Sequence, residues 1–173
     1  MQAVISVIGR DRPGLVHDLT ELIVGKKLNV NDSRMTVLGG EFAVLLLIDG
    51  AEASFLSFED DLNSLCEQLG LSFVYRTTEP GVRTAHALPY SVRVMAMDHP
   101  GIVHRVAEFF SSRSVNIQHL TTETQKAAHT GTPVFNLLMH IHVPSDLNGP
   151  ALRAEFDEFC ATEDLDGLIE PGF

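Results

Sequence analysis

The sequence predicts an α+β protein built from two tandem β-α-β-β-α-β units, each folded around an antiparallel four-stranded sheet. The first observation is an internal repeat, in which residues 11–17 (Asp-Arg-Pro-Gly-Leu-Val-His) recur 87 positions later as residues 98–104 (Asp-His-Pro-Gly-Ile-Val-His). The second is that strand-like and amphipathic runs follow one another in the same order in both copies. A repeat of this period is too long for a solenoid unit, so it indicates a duplicated domain.

The domain boundaries follow from the repeat. The first domain is expected at residues 1–76 and the second at residues 90–173. The segment 77–89 contains two prolines, one glycine and little apolar periodicity, so we expect it to be the linker. Domains of this size bury only about 60% of the surface of their unfolded chain. We therefore expect the two domains to pack against each other or against a partner.

The first copy opens with a β-rich run at residues 3–8, which predicts the first strand. Apolar residues at helical spacing follow and predict the first helix. Asp11 is expected to be the N-cap of this helix, with Pro13 in its first turn. Gly25 and the two lysines after it suit the end of the helix, where cations meet the negative end of the dipole.

Two further strands, a helix and a last strand complete the first copy. A polar strand is predicted at residues 29–38 and an apolar one at 42–48, joined by a turn at Gly39-Gly40. A second helix is expected from about residue 54 to 69, and the last strand at residues 71–76.

The second copy repeats this order with one insertion. Its later elements are predicted as strands at residues 91–97, 116–122, 134–143 and 168–169 and a helix at 150–161. About six residues are inserted around positions 123–132, which predicts a longer loop before the third strand. Such a loop is either a tolerated surface insertion or a ligand lid or partner contact.

The two copies also differ in their third strands. The strand at 42–48 is apolar on both faces, whereas the strand at 134–143 is polar on one face. An antiparallel sheet of this type has helices on one face only. We therefore expect another domain, another subunit or a partner to cover Ala43, Leu45 and Leu47 or their alternates.

The composition argues against several classes of function. The net charge is −11, from 12 basic and 23 acidic residues, and the basic residues are scattered. Nucleic-acid binding needs clustered Lys and Arg, so we expect no direct nucleic-acid contact. No run approaches the ~18 apolar residues of a membrane span, and the N-terminus lacks a basic signal-peptide region. We expect a cytoplasmic protein in which Cys66 and Cys160 are reduced, half-buried thiols.

Catalytic and metal-binding motifs are missing from the sequence. It contains neither a glycine-rich phosphate loop nor a local signature of a Ser-His-Asp or Cys-His arrangement. His140 and His142 lie two apart on a strand and share a face, a geometry that can chelate a metal. No motif supplies a third ligand. The sequence therefore predicts no enzyme, no cofactor and no metal site.

The repeated Asp-x-Pro-Gly turn is the candidate binding site. It opens the first helix of each copy, where backbone N–H groups can hold an anion such as the carboxylate of an amino acid. Gly14 and Gly101 lack a Cβ, so a ligand can approach the backbone closely. The alternative is that Asp and Pro cap the helix and that the Asn residues after the helix only terminate a turn.

Together with the element order, this turn resembles the ACT domain, a regulatory module that binds amino acids in many metabolic proteins. The resemblance covers both copies. The stretch Asn-Asp-Ser-Arg-Met at residues 31–35, followed by Leu-Gly-Gly-Glu-Phe at 38–42, is similar to the glycine cleavage system transcriptional repressor family.

This resemblance implies an amino-acid-responsive regulator without a DNA-binding domain of its own. Such a regulator acts by binding a DNA-binding transcriptional activator, with glycine relieving the repression, and it is expected to form a homo-oligomer. The alternative is a regulatory subunit that binds and modulates a metabolic enzyme.

The resemblance also implies which residues hold the ligand. ACT ligands sit between paired domains, held by the strand–helix turn of one and the second strand of its neighbour. The implied residues are Arg12, Pro13, Gly14, Leu15, Asn31 and Asp32 in the first copy, and His99, Pro100, Gly101, Ile102, Asn116 and Gln118 in the second. His119 and Leu120 stand where the first copy has Asp32 and Ser33. Equal affinity at the two sites is therefore not expected.

Overall fold

The computed structural model describes residues 1–79, 87–126 and 131–172. The contacts between Cα atoms divide the chain into two units, Met1–Val82 and Arg83–Phe173, called here the first and second units. Each unit has its own four-stranded sheet and its own hydrophobic core.

The first unit follows the predicted order of strands and helices. Its elements are β1 (Gln2–Arg10), α1 (Leu15–Gly25), β2 (Asn29–Leu38), β3 (Glu41–Asp49), α2 (Glu52–Phe55), α3 (Phe58–Leu69) and β4 (Leu71–Thr78). The strands pair in the order β2-β3-β1-β4, and every pair is antiparallel.

The second unit repeats this architecture. Its elements are β5 (Ala87–Met97), α4 (Ile102–Ser111), β6 (Asn116–Lys126), β7 (Pro133–Pro144), α5 (Gly149–Thr162) and β8 (Asp166–Pro171). The strands pair in the order β6-β7-β5-β8, again all antiparallel. The predicted fold class of two tandem ferredoxin-like β-α-β-β-α-β domains is confirmed.

The start of the first helix differs from the prediction. Gly14, and not Asp11, is the N-cap of α1, and Pro13 precedes the helix. Gly14 has a φ of 98°, a conformation that glycine adopts at little steric cost. Asp11 instead donates its backbone N–H to the carbonyl of Gly40, 3.0 Å away. This bond holds the turn against the β2–β3 hairpin, so the chain enters the helix three residues later than expected.

The second helix of the first unit is broken in two. The sequence predicted one helix from about residue 54, but Ser57 leaves the helical conformation with a φ of −122°. Helix α3 then restarts with three carboxylates in its first turn, which favour the positive end of a helix dipole. Phe55 and Phe58, on either side of the break, are both buried, with ring centroids 6.3 Å apart.

Strands extend into two segments that were expected to be irregular. Residues 123–126 belong to β6, where Thr124 pairs with Phe135 and Lys126 pairs with Pro133. The prediction of a loop was therefore wrong for these four residues, because the β6–β7 ladder continues through part of the insertion. Residues 127–130 lie outside the described residues. Strands β4 and β5 likewise enter the segment 77–89, of which residues 80–86 lie outside the described part.

The strands of each unit bury one face against helices. In β3 the inward residues Phe42, Val44, Leu46 and Ile48 are buried. On the opposite face Leu45 is 46% exposed, and Ala43 and Leu47 are partly exposed. The expectation that another domain, subunit or partner covers this face stays a prediction. In β7 the inward residues are buried and the other face is partly exposed, as the sequence predicted.

Candidate functional site

The turn between β1 and α1, residues 11–14, is called the first turn. It borders a cleft of about 410 Å³, lined by Asp11, Arg12, Pro13, Gly14, Leu15, Val16, His17, Met35 and Phe42. The cleft thus brings together the four predicted ligand residues of the turn and helix start, Arg12, Pro13, Gly14 and Leu15. Met35 of β2 and Phe42 of β3 add an apolar wall, which sequence reasoning missed because it depends on the register of the sheet.

The first turn combines a helix start with a cation. The backbone N–H of Asp18 donates the first hydrogen bond of α1 to the carbonyl of Gly14, at 2.9 Å. The N–H groups of residues 15–17 therefore precede the hydrogen-bonded part of the helix and can meet solvent or an anion. The guanidinium of Arg12 lies 3.6 Å from the carboxylate of Asp18, and both side chains are partly exposed.

Asn31 and Asp32 lie at the other end of the sheet from the first turn. The turn is bonded to Gly40, whereas Asp32 pairs with Leu47, near the far end of β3. A β-bulge at Asn31 shifts the register there, and Asn31 accepts a hydrogen bond from Asn29 at 2.8 Å. Within the first unit, the two halves of the predicted site are therefore separate.

Asp32 is paired locally. Its carboxylate accepts hydrogen bonds from the guanidinium of Arg34 and from the backbone N–H of Ser33, the latter at 2.8 Å. These bonds, the one from Arg34 above all, lower the pKa of Asp32 below its usual value. The carboxylate is exposed and stays charged near neutral pH, as an ammonium-binding group needs to be.

The turn between β5 and α4, residues 98–101, is called the second turn and has the same backbone. Gly101 is the N-cap of α4 with a φ of 98°, and Arg105 donates the first helical bond to its carbonyl at 3.0 Å. The backbone N–H of Asp98 donates a hydrogen bond to the carbonyl of Pro133, 3.2 Å away. The predicted ligand residues of the second unit therefore have the same positions at the turn and helix start as those of the first unit. They are His99, Pro100, Gly101 and Ile102.

Arg105 and Glu163 also belong to the second turn, and sequence reasoning missed them. The guanidinium of Arg105 lies 2.5 Å from the carboxylate of Glu163 and 3.3 Å from Nδ1 of His99. The signal available in the sequence was the repeat itself, since Arg105 occupies the position equivalent to Asp18.

Asn116 and Gln118 lie away from the second turn. Asn116 opens β6 opposite His142, and Gln118 stands at a β-bulge equivalent to that of Asn31. Beyond the bulge, His119 faces His140 across the strands, with ring centroids 5.6 Å apart. As in the first unit, the residues of the second strand are not brought to the turn.

The described parts of the chain, residues 1–79, 87–126 and 131–172, contain no group of three His, Cys, Asp or Glu side chains able to hold a metal ion. Over the same residues, no helix is both long and apolar enough to cross a membrane. Cys66 and Cys160 are free thiols in α3 and α5, and both are buried rather than half-buried. Burial raises the pKa of both thiols, that of Cys160 to about 11 with added repulsion from Asp157 and Asp166.

Comparison with known proteins defines the class. The sequence profile of the ACT domain matches residues 1–76. Over 75 residues the chain is 35% identical to the UPF0237 protein of Methanopyrus kandleri, an alignment that covers 42% of this chain and 83% of that protein. The chain belongs to the ACT-domain family, and its two sheets make it a tandem member.

Along its whole length the chain resembles a bacterial regulator. It is 26% identical over 166 residues to the glycine cleavage system transcriptional repressor of Escherichia coli, covering 96% of this chain and 87% of that one. A crystal structure described as a candidate repressor of this kind superposes with a TM-score of 0.74 at 28% identity, covering 98% and 95% of the two chains. A protein of unknown function from Galdieria sulphuraria superposes with a TM-score of 0.85 at 27% identity, covering 99% and 98%. The chain is thus similar over nearly its full length to a protein described as a transcriptional repressor.

Proposed function

We propose that this protein is an amino-acid-responsive transcriptional regulator that acts in the cytoplasm through a protein partner rather than by binding DNA itself. The observation that carries this proposal is the cleft at the first turn, in a chain similar throughout to the glycine cleavage system transcriptional repressor. Glycine is the proposed ligand, because the similarity is to a regulator of glycine cleavage.

The chemistry of the cleft fits an α-amino acid. The N–H groups at the start of α1 and the guanidinium of Arg12 suit the α-carboxylate, since a helix start and a cation both favour an anion. Asp11 adds a carboxylate on the same cleft for the α-ammonium group.

The second half of the site is proposed to come from a second copy of the chain. Asn31 and Asp32 stand on the edge strand β2, at the end remote from the first turn. Edge strands present unpaired backbone groups, so two copies can meet there and place these residues against a neighbour's turn. The ligand would then link homo-oligomer assembly to amino-acid concentration.

The partner is proposed to be a DNA-binding transcriptional activator. The chain carries a net charge of −11, which suits contact with a basic protein better than contact with DNA phosphates. The outer face of the first sheet supplies an apolar surface for such a partner, since Ile8, Leu45 and Val74 are 51%, 46% and 54% exposed. The register places Ser6 between Leu45 and Val74, with Ile8 two residues further along β1 on the same face. An exposed face that carries several large apolar side chains is typical of protein interfaces.

The ligand is tested by isothermal titration calorimetry of the full chain with glycine and a panel of other amino acids. We expect glycine to bind, and Arg12→Ala to weaken binding about 10-fold or more, because a charge-assisted hydrogen bond is lost. Arg76→Ala is the matched control, since Arg76 is an exposed arginine on β4 outside the cleft. If no amino acid binds, the protein is a purely protein-binding module and the proposed sensing role fails.

The partner is tested by pull-down from native lysate with and without glycine. We expect a DNA-binding activator to be recovered, and Leu45→Asp to abolish its recovery without unfolding the chain. Recovery of a metabolic enzyme in place of an activator would instead make the protein a regulatory subunit of that enzyme.

A further inference from the structure

The two turns carry their charges in exchanged positions. In the first unit the cation is on the turn, at Arg12, and its partner Asp18 is on the helix. In the second unit the equivalent positions are His99 on the turn and Arg105 on the helix, so the guanidinium has moved from one element to the other. The backbone of the two turns is the same, because Gly14 and Gly101 share a φ of 98°.

The different position of the guanidinium leaves the space beside Gly14 open and fills the space beside Gly101. Apart from Gly14 and its two chain neighbours, no described residue places a heavy atom within 4 Å of the position that a Cβ on Gly14 would take. At Gly101 the same place is only 2.8 Å from Nη1 of Arg105. The guanidinium of Arg105 therefore occupies the space that the missing side chain of Gly101 would leave for a ligand.

Two side chains hold Arg105 in that position. Glu163, the residue that follows α5, lies 2.5 Å from its Nε. Nδ1 of His99 lies 3.3 Å from Nη2 of Arg105 and 3.2 Å from the carbonyl oxygen of Pro100. Because a guanidinium has donors only, Nδ1 can accept a hydrogen bond from Arg105 in the tautomer that carries its proton on Nε2. At the offset of 94 residues that relates α3 to α5, the counterpart of Glu163 in the first unit is Leu69, an apolar side chain that packs against the core and cannot pair with a cation.

Helix stability does not account for Arg105. A cation near the start of a helix opposes the helix dipole, whereas Asp18 at the same position of α1 is favourable. The ion pair with Glu163 offsets this cost, and both side chains are largely shielded, at 30% and 29% exposure.

From this geometry we infer that Arg105 closes the second turn to amino acids, so that each chain binds one ligand through its first turn. The inference rests on the proposed function, because it concerns the same ligand. It assigns the two copies different tasks: the first turn senses, and the second is filled by a side chain of its own unit. Arg105 is then the residue that sets the number of ligands per chain.

The test is a titration of the full, ¹⁵N-labelled chain with glycine, followed by the amide signals of residues 14–17 and 101–104. In the unmodified protein we expect shifts at the first turn only and a calorimetric stoichiometry of one per chain. In Arg105→Ala we expect the second turn to respond as well and the stoichiometry to rise to two. Arg113→Ala is the matched control, because Arg113 also joins α4 to α5, through Glu155, but at the other end of α4. It should keep one ligand per chain.

The other outcomes separate this inference from the proposed function. Shifts at both turns of the unmodified protein, or no response of the second turn in Arg105→Ala, would overturn the closure by Arg105 and leave sensing at the first turn intact. If the second turn of Arg105→Ala is the only turn that responds in either protein, the idea that Arg105 closes the second turn stands. Sensing at the first turn is then overturned. Silence at both turns in both proteins would overturn both ideas.

Discussion

The helix pairs of the two units are alike at one end and different at the other. At the C-terminal end of the first helix, Lys26 pairs with Asp61 of α3, and at the equivalent positions Arg113 pairs with Glu155 of α5, 2.8 Å apart. At the N-terminal end, the first unit has the ion pair of Arg12 and Asp18. The second unit instead pairs Arg105 with Glu163, and His99 lies close to Arg105. The ion pair that joins the helices was thus kept, while the charges at the turn were rearranged. The turn is where the two units acquired different chemistry.

The two cores likewise share the positions of their buried residues but differ in which side chains fill them. Helices α3 and α5 bury three residues each at matching places, Phe58, Leu62 and Cys66 in one and Leu152, Phe156 and Cys160 in the other. The large and small side chains have exchanged places within this set. Such volume-conserving changes are tolerated in cores, so this difference changes packing but not architecture.

The largest effect is expected in the second core. Phe156 is fully buried, and its ring centroid lies 5.3 Å from Phe109 and 5.4 Å from Phe110. Phe156→Ala should lower the free energy of unfolding by about 3–5 kcal/mol, because it removes a buried ring and leaves a cavity. Urea unfolding measures the loss. Hydrogen exchange should accelerate in the second unit only, and Leu62→Ala should do the same in the first. Equal acceleration in both units would mean that they unfold as one.

The two thiols provide the next contrast. Burial raises the pKa of Cys160 to about 11, so at pH 8.5 its thiolate fraction should be about 100-fold below that of an unperturbed thiol. Labelling with a thiol reagent should be slow for Cys160 in the folded chain and fast in urea. Cys66, whose pKa is raised by burial alone, should react faster than Cys160. The reverse order would show that access rather than ionisation controls the rate.

The raised thiol pKa also sets the sign of a stability change. The folded chain keeps the proton on Cys160 where the unfolded chain has lost it. Above about pH 8.5 the unfolded state therefore binds fewer protons, and the free energy of unfolding falls as the pH rises. Cys160→Ser should reduce this fall.

Glycine substitutions compare the two turns directly. Gly14→Ala and Gly101→Ala each force alanine into a left-handed conformation, which costs about 1–2 kcal/mol. Gly101→Ala should cost slightly more, because its Cβ would lie 2.8 Å from Nη1 at the end of the flexible Arg105 side chain, which would have to move. Thermal or urea unfolding measures both changes. In an Arg105→Ala background the two substitutions should become equally costly, and a difference that persists there would assign the extra cost to the backbone.

The smallest effect concerns the ion pair that both units kept. The hydrogen bond from Lys26 lowers the pKa of Asp61 below its usual value, and Ser57 adds to this. The stabilisation is therefore present above about pH 4, the unfolded pKa, and is lost as the pH falls through the lowered folded pKa. Unfolding free energies of the unmodified chain and Asp61→Asn should differ at neutral pH and converge in acid. Lys26→Met removes the same ion pair from its other side and should show the same convergence.

Much of the architecture was predictable because its signals are local. The hairpin at Gly39-Gly40 was predicted from a dipeptide that favours such turns, and β2 was predicted at both ends. The end of α3 at Gly70 was marked by a residue that readily takes a φ of 68°. The break at Ser57 was not predictable, because the apolar spacing runs through it and only core packing decides where the helix restarts.

The candidate site was likewise predictable from the sequence only in part. Three features of the site are evident from the residues alone, because they can be read at a fixed offset: the turn is duplicated, each copy opens a helix, and Arg12 is replaced by His99. The position of Met35 at the first turn and the cover of Gly101 by Arg105 instead depend on how the folded chain packs. The reason is physical: Glu163, which holds Arg105, is remote in sequence and reaches it only because α4 and α5 pack side by side on one sheet.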